Sequence, residues 1–493
     1  MQINPLLLID GYKADHRRQY PEGTTMVYSN WTPRKSRLEG VDRVVFFGLQ
    51  YFLRKYLQEG FDEGFFSRKK GEVCDEYKAT MDAYLGKDSV PVDHIADLHD
   101  LGYLPLSIKA VEEGTFVDIG VPMLTVHNTL PEFFWLTNQI ETLMSSVLWT
   151  PCTSATIANQ FRREFQRRSH SDNYGGIKYQ GHDFSFRGMS SPESAAISGS
   201  GHLTSFAGTD TVPAIKLIEK YYPGNSSQIG ASVPATEHSV MCMGGQVDEI
   251  ATYKRLLNEV YPSGIVSIVS DTWDFWSIMT TGLQALRDDI ALRYNKTGGT
   301  AVFRPDSGDP VKIICGDPDA PEGSPEHKGA FQCLWDVFGG KQASGLSGLR
   351  QLHPAVGLIY GDSITLDRQS QILNKLLKKG FEPTVVLGIG SYTYQYTTRD
   401  TFGFAMKATY GEVNGEGREI FKSPKTDPTG EKKSAKGLLR VVQDVGMLRL
   451  EDQLSKADWL ADSGLLKDVF ANGAVVRTTT FDAIRNRLYP QGF

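Results

Sequence analysis

Arg304-Pro-Asp306-Ser-Gly308 sets a guanidinium and a carboxylate two residues apart, directly after an apolar run that reads as a strand. On such a tip the Arg can fork onto phosphate or carbonyl oxygens while the Asp accepts from sugar hydroxyls. The same pair can equally bond to neighbours and cap the next helix. What favours the first reading is repetition. Gly361-Asp362 and Gly388-Ile-Gly390-Ser391 also follow short β-branched runs. Glycine there lets a backbone approach a phosphate, and a following helix N-terminus favours negative charge. Together they describe a sugar-phosphate cradle.

A basic set comes next in the chain: Arg399, Lys407, Lys422, Lys432 and Lys433, joined by Arg34 and Arg187. These charges suit a pyrophosphate or a nucleoside triphosphate, although the lysines from Lys432 to Lys436 also read as a solvated loop. Gly181-His182-Asp-Phe184-Ser-Phe-Arg187, with Asp210 close behind, offers an aromatic face and an acid to a flat heterocycle. Phe184 taken alone fits a core position as well. In Glu237-His238-Ser239, the flanking Glu237 and the more distant Asp271 offer carboxylates that could orient the His238 ring. An oriented imidazole is a nucleophile toward phosphate, and a lone histidine is otherwise a structural residue.

These residues need a frame that brings strand ends together. Four units, Ile265–Asp271, Ala301–Asp306, Val356–Asp362 and Thr384–Ser391, each run from an apolar strand to a polar or glycine tip and then into a helical segment. That rhythm predicts a β/α barrel over residues 151–400, with its site at the carboxyl-terminal face of the strands. Gly316–Gly348, rich in Gly, Pro, Ser and Asp, reads as a surface excursion. Residues 1–150 read as part of an α+β domain. The segment 401–493, with an expected strand over Phe404–Tyr410, reads as its completion, so that the first domain is discontinuous around the barrel.

Composition narrows the function classes. With 40% apolar residues in 493, the chain can bury large cores. The 52 Lys plus Arg against 58 Asp plus Glu give a net charge of −6, so nothing attracts nucleic acid or anionic lipid globally. The start of the chain lacks a basic segment ahead of its short apolar run, and no stretch of 18 apolar residues occurs. A cytoplasmic location is expected. Five scattered cysteines and ten histidines show no C-x-x-C or H-E-x-x-H spacing, so any metal is expected to arrive with a phosphate ligand. None of the four tips carries a lysine, which argues against a Schiff-base aldolase.

Several motifs, in order, resemble the nicotinamide phosphoribosyltransferase family: Asp10-Gly-Tyr12-Lys13, His182-Asp-Phe184-x-Phe-Arg187-Gly, Gly208-Thr-Asp210-Thr-Val, Val233-Pro-Ala-x-Glu237-His238-Ser239, Val269-Ser-Asp271, Arg304-Pro-Asp306-Ser-Gly308, Gly361-Asp362 and Thr398-Arg399-Asp400. The resemblance covers nearly the whole chain. It implies a type II phosphoribosyltransferase fold and a homodimer with shared active sites. Nicotinamide would stack between Phe184 and Tyr12 of the partner subunit, with Asp210 accepting from the carboxamide and Arg304 close to its oxygen. Asp306 and Asp362 would hold ribose hydroxyls, and Gly361, Gly390, Ser391 and Arg187 the ribose phosphate. Arg34, Arg399, Lys407, Lys422 and Lys432 would hold pyrophosphate or ATP phosphates, with Mg²⁺. His238 matches the histidine that ATP phosphorylates in the family, supported by Asp271. One departure is that the family's consecutive glycines are replaced by Gly388-Ile-Gly390-Ser391-Tyr392, and the Lys425–Lys436 segment differs in length. Nicotinate phosphoribosyltransferase is the alternative, and the acid at Asp210 argues against a carboxylate substrate.

Overall fold

A computed structural model describes residues 3–169, 174–224, 228–342, 348–421 and 435–493. By its internal contacts the chain forms two compact units, one from Met1–Thr156, Leu217–Ser226 and Thr397–Pro490, the other from Ile157–Lys216, Ser227–Tyr396 and Gln491–Phe493.

The first unit is organised on a seven-stranded antiparallel sheet to which both ends of the chain contribute. Thr24–Thr32 lies between Leu124–Asn128 and Ala405–Val413, and Lys467–Ala471 extends the other side through Leu106–Ala110. Burial explains this pairing. Trp31 is fully enclosed and stacks on Phe404 with ring centroids 4.5 Å apart, so an N-terminal and a C-terminal aromatic share one core. The expected strand at Phe404–Tyr410 is observed as Ala405–Val413, and Ala474–Val475 adds a short edge strand before the Phe481–Leu488 helix.

The second unit is built on parallel strands in the order Gly208–Thr209, Gly181–Asp183, Val386–Ile389, Val356–Tyr360, Thr300–Arg304 and Ile265–Val269. The segment after residue 230 closes this sheet on itself. Ala231 bridges Gly208 at one edge and Ala235 bridges Ser267 at the other, both in parallel register. Thr236 N–H donates to the Ser267 carbonyl at 2.9 Å and Ser267 N–H to that of Pro234 at 2.9 Å. All strand ends therefore face the same way, which is the barrel arrangement the sequence rhythm predicts. Ile268, Phe303, Leu358 and Leu387 are buried on the face of the sheet opposite the one that bears Arg304 and Gly388, where Phe303 stacks on Tyr253 of the Glu249–Arg255 helix, and the amphipathic Leu366–Lys378 helix, capped by Thr365, buries Ile372, Leu373 and Leu376.

Gly316–Gly348 corrects the expectation of a surface excursion. Among its described residues, Ala330–Phe338 is a helix that buries Ala330, Phe331, Cys333 and Leu334. Phe331 meets Phe381 edge-on at 5.2 Å. The turn residues Asp317–Ser324 that precede it carried the compositional signal, while the apolar i, i+1, i+3, i+4 spacing carried the structural one.

Two buried histidines make the fold acid-sensitive. Burial, with the Arg17 charge second, pushes the His94 imidazole down to about 3. Burial also pushes His202 down to about 4 against the pull of the Asp183 carboxylate. Both rings stay neutral when folded but take a proton in the unfolded chain below about 6.5. Their contribution is thus complete above that value and is lost as pH falls from it toward 4, by about 3 kcal/mol per ring at the limit. Melting temperature should drop steeply between pH 7 and pH 4.5, and His94→Gln should flatten part of that slope. A flat profile in the parent would contradict this account.

Candidate active site

The strand ends of the second unit gather most of the residues singled out above. Asp210 follows the Gly208–Thr209 strand, and its main-chain N–H bonds to the Asp183 carbonyl at 3.0 Å. Its carboxylate accepts from Ser232 Oγ at 2.6 Å and faces His182 Nε2 at 2.9 Å. Burial acts to raise this carboxyl, but the His182 hydrogen bond and charge, the Ser232 hydroxyl and the Arg304 charge outweigh it and hold the group below the ordinary value. The acid is therefore ionised at neutral pH.

Phe184 stands beside it. Its ring lies 4.6 Å from that of His182, and its backbone N–H donates to the Ile389 carbonyl at 3.0 Å. The ring lies against two glycines. A Cβ on Gly388 would stand 2.7 Å from Phe184 Cε2 and 2.8 Å from the Gly361 Cα, and one on Gly361 would stand 3.0 Å from an Asp306 oxygen and 3.4 Å from Phe184 Cε2. Gly388 and Gly361 thus make room for the aromatic wall, a job distinct from the phosphate approach read from sequence. Gly390 has open space where a side chain would go. Arg187 lies exposed on the Phe186–Gly188 turn, where a Cβ on Gly188 would come 2.5 Å from Ser391 Cβ.

Arg304, at the end of its strand, donates from Nη2 to the Thr236 carbonyl at 2.8 Å and pairs through Nη1 with Asp306 at 3.3 Å. Its side chain is largely buried, so the guanidinium is held in one orientation. Asp271 anchors the same tip, accepting from Asp306 N–H at 2.8 Å and Ser307 Oγ at 2.6 Å through one oxygen. Its other oxygen is buried without a hydrogen-bond partner and faces His238 Nε2 at 3.9 Å. His238 Nδ1 lies 3.1 Å from Thr272 Oγ1. Glu237, expected to steady His238, instead accepts from Ser239 Oγ. Tyr360 underlies the tips, donating to the Gly308 carbonyl at 2.8 Å. Burial, followed by the carboxylates of Asp362, Asp271, Asp306 and Asp309, pushes its phenol well above the usual range.

The remaining candidates belong to the first unit. Tyr12 is 62% exposed, and Lys13 Nζ sits 5.4 Å from its ring centroid. Arg34 and Arg399 are on adjoining segments, because Arg34 N–H donates to the Phe402 carbonyl at 3.0 Å and its Nε to that of Gly403 at 3.1 Å. Arg399 pairs with Asp400 at 3.2 Å, and Lys407 is exposed on the strand facing Asn30. Lys422 and Lys432 lie outside the described residues.

His182, Ser232 and Thr236, to which the sequence motifs assign no role, hold Asp210 and Arg304. His182 and Phe184 are two apart on an extended segment and so share a face, a signal that was available. Ser232 and Thr236 become partners only because their segment closes the ring.

Residues 179–473 match the nicotinate phosphoribosyltransferase (NAPRTase) family, and residues 4–108 the nicotinamide phosphoribosyltransferase N-terminal domain. A nicotinamide phosphoribosyltransferase of Acinetobacter baylyi is 55% identical, over 99% of this chain and 98% of the relative. One from Xanthomonas campestris is 32% identical, over 98% and 97%. Among solved structures, nicotinate-nucleotide pyrophosphorylase from Pyrococcus furiosus superposes with a TM-score of 0.60 at 14% identity, covering 99% of this chain and 95% of that one. Human nicotinic acid phosphoribosyltransferase does so with 0.57 at 15%, covering 97% and 92%. The fold is shared with both structures, and sequence identity over the full length goes further: the chain belongs to the nicotinamide phosphoribosyltransferase family.

Proposed function

We propose that the protein transfers the phosphoribosyl group of 5-phosphoribosyl 1-pyrophosphate to nicotinamide, giving nicotinamide mononucleotide and pyrophosphate in NAD salvage. The observation that carries this reading is the ionised Asp210 carboxylate, fixed by Ser232 and by His182, whose ring lies 4.6 Å from that of Phe184. A carboxamide N–H₂ donates to such a group, whereas the carboxylate of nicotinate meets a like charge.

The pyridine nitrogen of nicotinamide already carries a free lone pair, so its attack on the anomeric carbon needs no general base. The C1–pyrophosphate bond breaks as the new C–N bond forms, and the ribose passes through an oxocarbenium-like state. The protein's work is then positioning and charge. Phe184 presents the ring, with Tyr12 of the partner subunit closing the slot in a homodimer, as in the family resemblance. Asp306 and Asp362 take ribose hydroxyls, while Gly361, Gly390, Ser391 and Arg187 take the 5′-phosphate. Arg34, Arg399, Lys407, Lys422 and Lys432 receive pyrophosphate or ATP phosphates. Mg²⁺ would arrive with the pyrophosphate and offset charge on the leaving group; among the described residues, no three metal-ligating side chains cluster.

His238 is the proposed acceptor of the ATP γ-phosphoryl group, with ADP leaving. Its Nδ1 is engaged with Thr272, which orients the ring and leaves Nε2 as the freer nitrogen. Added charge there would tie ATP hydrolysis to substrate affinity. Product formation from labelled nicotinamide and donor tests the whole reading: the parent should form nicotinamide mononucleotide, faster with ATP. His238→Ala should lose the ATP stimulation and keep the unstimulated rate within about threefold. Absence of product in the parent would remove the function, and an undiminished ATP effect in the variant would remove the phosphohistidine alone.

Among the described residues, no helix is long and apolar enough to cross a membrane.

A further inference from the structure

His202 is fully buried on the Pro192–Leu203 helix. It makes two hydrogen bonds that run in different directions. Nε2 lies 3.0 Å from the Gly208 carbonyl, two residues before Asp210. Nδ1 lies 2.7 Å from the Tyr394 hydroxyl, on the Ser391–Tyr394 helix whose Tyr394 N–H returns to the Gly390 carbonyl at 3.2 Å. A carbonyl can only accept, so Nε2 carries the proton. The ring is held neutral by burial, which leaves the Nδ1 lone pair to accept the phenolic O–H. Its face stacks on Phe206 with ring centroids 5.0 Å apart, which helps to hold its orientation.

We propose that His202 is a positioning residue, an imidazole strut that sets the Gly390–Ser391 loop against the strand end bearing Asp210. The inference rests on the function proposed above, since it supposes that this loop holds the phosphate of the donor. The geometry makes the dependence one-sided. The Gly208 carbonyl belongs to a barrel strand in register with His182 and Ala231, so it is fixed by the ladder. The Ser391–Tyr394 helix is a single turn, and its side-chain ties include Thr393 Oγ1 to the Ile364 carbonyl at 2.7 Å, Gln395 accepting from Ser190 N–H at 3.0 Å, the buried Tyr394 ring and the His202–Tyr394 bond. Of these the His202–Tyr394 bond reaches furthest into the core. Losing it loosens the loop more than the strand.

Tyr394→Phe removes only the hydroxyl, and His202→Gln can keep an amide N–H for Gly208 while losing the acceptor for Tyr394. Each should weaken ribose 5-phosphate binding in calorimetry, and raise the KM for the donor, by about three- to tenfold, the worth of one buried hydrogen bond. KM for nicotinamide and kcat should stay within about twofold. The double variant should be no weaker than the weaker single, because both changes cut the same bond. A merely structural role would lower the melting temperature without touching the ribose 5-phosphate affinity, and that result, additive singles, or no ribose 5-phosphate binding by the parent would overturn the proposal. Turnover of nicotinamide by the parent reports separately on the underlying function, so the two failures can be told apart.

Discussion

Gly388→Ala should lower kcat/KM for nicotinamide by about a hundredfold while leaving a folded protein. The added methyl would have to occupy space 2.7 Å from Phe184 Cε2 on one side and 2.8 Å from the Gly361 Cα on the other. Backbone cannot yield there, because Val386–Ile389 and Val356–Tyr360 are neighbouring strands of the ring. The Phe184 ring, only half-buried, must therefore move. Overpacking of this kind costs about 1–3 kcal/mol where a side chain can give way. Displacement of a substrate-positioning ring by about 1 Å can cost about a hundredfold in rate. Gly390→Ala supplies the contrast. Nothing lies within 4 Å of a Cβ at that position and its φ of −98° is open to any residue, so it should act on donor affinity alone, by whatever crowding the phosphate meets. Steady-state kinetics and thermal melts of both variants check the argument. Gly388→Ala turnover within about threefold of the parent would show that the ring does not set the rate.

The contrast between these glycines also marks how far the sequence can be read. Gly388 and Gly390 look alike in the chain, and both suggest a phosphate loop. Only the fold reveals that Gly388 faces an aromatic ring from a segment some two hundred residues earlier, while Gly390 faces open space. Long strands with sharp tips were legible: Ile265–Val269, Thr300–Arg304, Val356–Tyr360 and Val386–Ile389 stand within a residue or two of the runs that predict them. Gly181–Asp183 and Gly208–Thr209 were not, since two or three residues are too few to show any period, and their pairing is dictated by closure of the ring. The same limit hid Thr236, whose carbonyl fixes Arg304, and Ser232, whose hydroxyl fixes Asp210. Charged and aromatic site residues announce themselves by type. The small polar residues that aim them do so only through tertiary structure, which is also why Glu237, the obvious neighbour of His238, is turned toward Ser239.

Asp210→Ser should reverse the preference between the two pyridine substrates. In the parent, a carboxylate substrate at the Phe184 ring would bring its charge close to an acid that is held ionised by His182 and Ser232. Two unit charges about 4 Å apart repel by about 4 kcal/mol at the effective dielectric of a protein surface. Asp210 retains 44% of its side-chain exposure, so solvent screens part of this and about 2–3 kcal/mol is the fitting expectation. Removing the acid deletes that repulsion. It also deletes an acceptor for the carboxamide and frees His182, whose Nε2 then faces the slot and can donate to a carboxylate. The two effects work in the same direction on the ratio. The specificity ratio of nicotinamide to nicotinate should therefore fall by about a hundredfold or more, with nicotinate turnover rising in absolute terms. Asp210→Asn separates the contributions, because it removes the charge and can keep a carbonyl acceptor for the amide. It should relieve the rejection of nicotinate and retain more of the nicotinamide rate than the serine variant. Because Asp210 is ionised well below neutrality, the parent's preference should also be flat from about pH 6 to pH 8. Competition assays with both labelled substrates read all of these at once. An unchanged ratio in the serine variant would place the source of selectivity elsewhere, with Arg304 and its Thr236 anchor the next residues to test.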